Sequence, residues 1–215
     1  MRSVTLWLLL SLLTSPAAAE IFSGPWEVQP PLPGMQAPAF SVSSVDGKTV
    51  DFDPEAMQRP VVLTFYRGGW CPYCNMHLAE LRNTEAELHE LGFDVWFVSP
   101  DRPELLAEGD HARYDYRLLS DADAQAAQAF GIAFRVDDET HAKYRELGVD
   151  LEARAGHAHR ALPAPATFVI GADGVIQFAY VNPDYTVRLA PDVLLAAARA
   201  YAEGAQERLQ QRRDD

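Results

Sequence analysis

Val61-Val-Leu-Thr-Phe-Tyr-Arg-Gly-Gly-Trp-Cys-Pro-Tyr-Cys-Asn-Met-His-Leu-Ala-Glu-Leu81 reads as a strand, a tight turn and a helix. Val61 to Tyr66 is a short run of β-branched and aromatic residues, the pattern of a buried strand. Gly68-Gly69 breaks it. Pro72 stands at the first helical position, where a missing N–H costs nothing. Met76, Leu78, Leu81, Leu88 and Leu91 continue at helical spacing and predict one helix that ends near Gly92. The only two cysteines, Cys71 and Cys74, lie at its mouth. Unpaired N–H groups and the positive end of the helix dipole favour a thiolate there. Cysteines of Cys-X-X-Cys motifs titrate at roughly 3.5 to 7.5. Cys71 is then the exposed nucleophile, and Cys74, one turn further in, closes a disulfide on it. Trp70 is positioned to shield one side of the sulfurs, and Pro72 and Tyr73 to tune the reduction potential.

Two blander readings compete. An inert structural disulfide would bridge so short a loop that it removes little chain entropy. A metal would find at most Cys71, Cys74 and His77, with no second cysteine pair to complete a tetrahedral zinc site. Asn75 stands where the haem-attachment pattern needs His. No metal and no cofactor is expected.

Outward from this unit, the chain opens with Arg2, an apolar run from Val4 to Leu13 and an Ala-x-Ala site at Ala17 to Ala19. Residues 1–19 therefore read as a secretory signal peptide cut before Glu20, the alternative being an uncleaved anchor. Cleavage leaves 196 residues (215 less 19), a length that suits one domain, and removes Arg2, which takes the net charge from −13 to −14. Such a surface repels nucleic acid and anionic lipid. Export into an oxidising compartment allows a merely structural cysteine pair. An active pair there needs a reducing partner, which points to a periplasm served by a thiol reductant protein.

Residues 20–38 carry five prolines and read as an extended lead-in without a packed element. Phe40 to Phe52 alternates around Asp46-Gly47 and reads as a β-hairpin. Phe93 to Ser99 is a second buried strand, Pro103 to about Tyr114 a helix, and Arg117 to Asp121 a short strand or loop. Asp121 caps a helix over Ala122 to Phe130 that stops at Gly131. Residues 135–163 read as a polar insertion with a short helix around His141 to Leu147. His157 and His159 there are either a solvated loop or a weak candidate for a metal or partner contact. Phe168 to Ile170 and Val175 to Tyr180 form a strand pair around Asp173-Gly174. Pro191 to about Arg213 is a closing amphipathic helix that frays at Gly204. The order of elements argues an α/β fold: a central mixed sheet flanked by helices, with an antiparallel pair at one edge. The body is expected over 39–203, with 204–215 as a tail. Pro165, directly before a strand, is a candidate cis proline, with Pro163 an equal contender and a rigid trans turn as the alternative.

Three stretches together carry a family resemblance: Phe65-Tyr-Arg-Gly-Gly-Trp-Cys-Pro-Tyr-Cys74; Val98-Ser-Pro-Asp101 with Leu118-Leu-Ser-Asp121 and Ala129-Phe-Gly131; and Leu162-Pro-Ala-Pro-Ala-Thr-Phe-Val-Ile170 followed by Asp184-Tyr-Thr-Val-Arg188. Over roughly residues 35–200 the chain resembles the peroxiredoxin-like branch of the alkyl hydroperoxide reductase and thiol-specific antioxidant family, in the thioredoxin-like superfamily. The resemblance implies a thioredoxin-like fold with an insertion before the cis-Pro strand. It also implies that Cys71 attacks a peroxide or disulfide, that Cys74 resolves it, and that Pro165 is cis. Typical members carry a Thr three residues before the attacking cysteine and an Arg near the late strand, both bonded to the peroxide oxygens. Here Gly68 holds the first position and Pro165 the place expected for the second. Arg67 and Arg160 stand as substitutes by position.

Three functions follow. A thiol peroxidase cycles Cys71 and Cys74 between dithiol and disulfide. A protein thiol–disulfide oxidoreductase uses the same pair on a partner's disulfide. A secreted binding protein keeps the pair as a staple. The first two need a peroxide or protein disulfide as substrate and a thiol protein as reductant.

Overall fold

Alternate residues of a β-strand point to opposite faces of its sheet, and the strand leading to Cys71 is apolar on both. The computed structural model describes residues 20–108 and 116–205. The expected signal peptide and most of the expected tail lie outside these residues, as does much of the expected helix beyond Pro103. After a single 3-10 turn at Pro25–Glu27 comes a hairpin, β1 (Phe40–Ser44) and β2 (Thr49–Phe52), turning where Gly47 takes a φ of +77°. The central strand β3 (Val61–Phe65) leads into α1 (Pro72–Arg82), α2 (Glu85–Glu90) and β4 (Asp94–Ser99). Then come α3 (Pro103–Leu106), β5 (Arg117–Ser120) and α4 (Gln125–Ala129). The segment read as an insertion holds β6 (Ala133–Arg135), α5 (Asp138–Glu146), α6 (Leu151–Ala155) and β7 (Ala161–Pro163). The chain closes with β8 (Ala166–Ile170), β9 (Ile176–Val181) and α7 (Pro191–Ala202).

The sheet runs β2-β1-β5-β4-β3-β8-β9. β3 lies parallel to β4 and β4 to β5, whereas the β1–β2, β1–β5, β3–β8 and β8–β9 pairs are antiparallel. This is the expected mixed sheet. Val61, Leu63 and Phe65 enter one core with Phe40, Phe52, Phe130 and Phe168. Val62 and Tyr66 enter a second with Leu78, Leu81 and Leu88 under α1 and α2, and Leu194 and Ala198 under α7. Helices thus cover both faces, and Cys71 lies beyond the carboxyl end of a strand buried on both sides.

Three expectations are corrected. The helix from Pro72 does not run unbroken to Leu91: the Thr84 hydroxyl donates to Leu81 O at 2.7 Å, so a side chain occupies a carbonyl of the last turn and the chain restarts as α2. The lead-in is not free of the body. Phe22 exchanges backbone bonds with Ala133 and Arg135, Gln29 N donates to Gly131 O, and Gln36 bridges to Val175. Finally, the described residues contain no cis peptide bond, so Pro165 is trans. Ala164 N donates to Ile132 O and Pro165 O accepts from Asn182 N. Both groups are therefore bonded within the protein, in the short link between β7 and β8.

Candidate active site

Cys71 is the residue that caps the N-terminus of α1, with extended φ and ψ of −86° and 114°. Its carbonyl accepts from Asn75 N at 3.0 Å and its amide donates to Gly68 O at 3.2 Å. Asn75 Nδ2 also donates to Gly69 O at 2.9 Å, tying the loop to the helix it precedes. The helix mouth expected from Pro72 is present. The exposed nucleophile is not: Cys71 and Cys74 are 1% and 0% exposed, within the core of Val62, Tyr66, Leu78, Val169 and Leu189, and Trp70 packs against it. The loop returning after β9, which carries Leu189, shares that core. Both thiols are free.

Gly68 explains how the loop closes. Its φ is +132°, and a Cβ there would lie 2.5 Å from Trp70 Nε1 and 2.9 Å from Asp101 Oδ2. The Thr of the resembled family has no room at this position, because the Trp70 indole occupies it. Asp101 Oδ2 accepts from Gly69 N at 2.9 Å. Asp101, 2% exposed, is held in turn by Arg154 through Nε at 2.7 Å and Nη2 at 2.9 Å.

Two buried guanidinium groups belong to this site, one of them in contact with the sulfurs. Arg188 Nη2 lies 3.3 Å from Cys74 Sγ and 4.0 Å from Cys71 Sγ. Arg67, 3% exposed, sits among three rings, 4.1 Å from the centroid of Tyr185, 5.2 Å from Trp70 and 5.6 Å from Tyr144. None of the ion pairs among the described residues involves either arginine. Arg67 Nε, Arg188 Nε and Nη1, and Trp70 Nε1 are buried without a hydrogen-bond partner among those residues. Buried cations without a carboxylate favour a nearby anion.

The electrostatics split the two thiols. The Cys74 side chain, by hydrogen bonding, and then its backbone N–H bring Cys71 down from 9.0 to about 6 against the opposing effect of burial, with Arg67 and Arg188 adding to the fall. Cys74, which keeps its proton toward Cys71 and is deeply buried, is driven far up. His77 is no ligand to this pair: its Nε2 meets Leu189 O at 3.1 Å, and burial together with Arg188 takes it down to about 4.

The other expected residues divide. Pro72 opens α1 and is exposed, and Tyr73 stands outside, 42% exposed, edge-on to Tyr185 at 5.7 Å. Arg160 pairs instead with Glu152 and Asp138. His159 spends both nitrogens on the backbone, Nε2 with Ala122 O and Nδ1 with Ala161 N, while His157 stacks on it. Arg188 was not singled out in the sequence. Its signal was its isolation: it is the only Lys or Arg between Arg160 and Arg199. The contributions of Tyr144 and Arg154 carried no local signal, and Asp101 stood out only as the last residue of Val98-Ser-Pro-Asp101.

The model of the AhpC/TSA family matches residues 33–179, more than half of the chain. The chain belongs to the AhpC/TSA family. Within it, 100 residues are 35% identical to a putative peroxiredoxin bcp of Haemophilus influenzae, covering 46% of this chain and 64% of that one. A stretch of 97 residues is 35% identical to Peroxiredoxin Bcp of Escherichia coli, covering 45% and 62%. The match thus spans less than two thirds of either relative. The fold aligns with the crystal structure of Peroxidoxin BcpB from Mycobacterium tuberculosis at a TM-score of 0.60 and 23% identity, over 78% of this chain and 96% of that one. Arg188 lies beyond the stretch that the AhpC/TSA model matches.

Proposed function

We propose that this protein is a thiol-dependent peroxidase in which Cys71 attacks the peroxide and Cys74 resolves the product. The observation that carries the reading is the Cys71 sulfur itself: brought down to about 6, beside a protonated Cys74 and within reach of Arg188, in an AhpC/TSA frame. The Cys71 thiolate attacks one peroxide oxygen. An S–O bond forms, the O–O bond breaks, and the leaving oxygen takes up a proton to depart as an alcohol or water. The buried donors of Arg188 and Arg67 offer charge to that developing oxyanion. The sulfenic acid on Cys71 then condenses with Cys74: the Cys74 proton leaves with the sulfenic oxygen as water, and an S–S bond closes. Two electrons from an external thiol protein restore the dithiol. Ala164 N and Pro165 O, in the link that leads into β8, are bonded to Ile132 O and Asn182 N, so this pair of backbone groups is not open to a partner peptide. We further propose export to a periplasm on the character of residues 1–19, to be tested by sequencing the N-terminus of the protein from fractionated cells.

The experiment is stopped-flow oxidation of the reduced protein by hydrogen peroxide, followed by Trp fluorescence, with Cys71→Ser as control. The second-order rate is expected to exceed that of a free thiol by orders of magnitude and to vanish in Cys71→Ser. It should rise as Cys71 loses its proton through about pH 6 and then level off, because lowering a thiol's pKa makes the charged form present at neutral pH. A rate no better than that of a free thiol overturns the peroxidase reading.

A further inference from the structure

Arg67 needs an anchor. A guanidinium on a flexible side chain acts on a neighbouring sulfur only if it is held in place. The usual anchor, a carboxylate, would hold Arg67 and cancel its charge in the same step. Among the described residues Arg67 has no such partner. Its Nη2 instead donates to the Tyr144 hydroxyl at 2.5 Å. A phenol oxygen accepts a hydrogen bond and carries no charge at neutral pH. Tyr144 comes from α5, in the polar segment between β6 and β7, and its ring also meets Trp70 with centroids 5.3 Å apart. The same segment sends Arg154 from α6 to Asp101, which holds Gly69 N. The cysteine loop is therefore gripped at Arg67, Gly69 and Trp70, in each case by a group that this segment supplies or holds.

We propose that Tyr144 is a positioning residue of the cysteine site: its hydroxyl fixes the Arg67 guanidinium beside Trp70 of the cysteine loop, 5.2 Å from that ring, and leaves its charge for the Cys71 sulfur. The proposal rests on the peroxidase reading only in taking Cys71 as the reactive thiol, and its test uses no peroxide. Tyr144→Phe keeps the ring on Trp70 and removes the hydroxyl alone. The thiolate of the reduced full chain is titrated by its ultraviolet absorbance, the signal being assigned by its loss in Cys71→Ser. The thiolate fraction near pH 6 is expected to fall roughly twofold in Tyr144→Phe, and further in Arg67→Gln. On the Arg67→Gln background, Tyr144→Phe is expected to add nothing, because Tyr144 acts through Arg67. Should Arg67→Gln not fold, Arg67→Met, which has neither the charge nor a donor, serves as the background. A purely structural Tyr144 would lower the melting temperature and leave the titration where it is. A Tyr144→Phe titration equal to the wild type overturns the proposal, and so does an undiminished shift on the Arg67 background. Slow peroxide reduction with the expected titrations would fail the peroxidase reading and leave Tyr144 in its role.

Discussion

Between Val61 and Arg82 most inward side chains are apolar or sulfur, with Thr64, Arg67 and His77 the buried polar exceptions, and the loop leans on a strand buried on both faces. Between Val136 and Arg160 the helices α5 and α6 bury little. Their small core is Phe134, Val136, Leu151 and Leu162, and Trp70 of the cysteine loop packs against it. The first region carries the cysteine pair, and the second reaches its loop through Tyr144 on Arg67 and Arg154 on Asp101. One is organised by hydrophobic period, the other by a few polar side chains aimed across space. A chemical site can thus depend on a segment whose own pattern suggests only a solvated insertion.

The sharpest way to break this comparison is at Gly68. Gly68→Thr restores the residue typical of the resembled family. If the loop is clamped as described, the Cβ meets the Trp70 indole, which is itself packed against Tyr144. The new residue would also have to hold a φ of +132°. The expected cost is roughly 3–5 kcal/mol in denaturant unfolding, from backbone strain together with overpacking. Peroxide reactivity should fall rather than rise. A variant of near wild-type stability would mean that Trp70 swings away freely, and that the polar segment does not brace the loop.

Arg188 sharpens the comparison from the opposite side, because it comes from neither region but from the loop between β9 and α7. Arg188→Ala removes the guanidinium within 4.0 Å of both sulfurs. Losing a preorganised donor to a developing oxyanion typically costs about 10²-fold in rate, and that loss is expected in the peroxide reaction. Stopped-flow oxidation of the variant measures it. A loss of less than about threefold would assign the oxyanion to Arg67 alone, and would make the segment that holds Arg67 the larger contributor.

How far the sequence could be read follows the same division. The strand before Cys71, the Pro72 helix start, the Asp46-Gly47 hairpin and the antiparallel pair around Asp173-Gly174 were legible because period and turn chemistry are local. The mixed sheet followed from them. The break after Arg82 was not, because the leucine spacing crosses it and a single Thr84 hydroxyl makes it. The burial of Cys71 was not either, since it depends on Gly68 folding Trp70 inward and on the loop bearing Leu189 coming back across. Arg188 stood within a quoted stretch, yet its place beside the sulfurs is set by where β9 ends. A single Tyr on a charged helix gives no periodic signal, so Tyr144 was unreadable. Pro165 misled for a related reason: proline directly before a strand fits a cis turn or a straight trans entry, and the peptide bond before Pro165 is trans.

The smallest expected effect lies at Arg160, one of the two arginines, with Arg67, that chain position offered as substitutes for the family's own. It sits at the far end of the polar segment, where it pairs with Glu152 and with the well-exposed Asp138. Partly exposed pairs of this kind contribute about 0–1 kcal/mol. Arg160 also holds a φ of +50°, a region in which glycine is unstrained and a long side chain is not. Arg160→Gly therefore removes two weak pairs and relaxes one backbone position, and the two changes oppose each other. Stability is expected to stay within about 1 kcal/mol of wild type. The peroxide rate should be unchanged, since neither carboxylate partner of Arg160 contacts the sulfurs or Arg67. A clear loss of rate in Arg160→Gly would show the whole segment acting as one unit on the site. An unchanged rate beside a shifted Tyr144→Phe titration would confine that action to the few side chains that reach it.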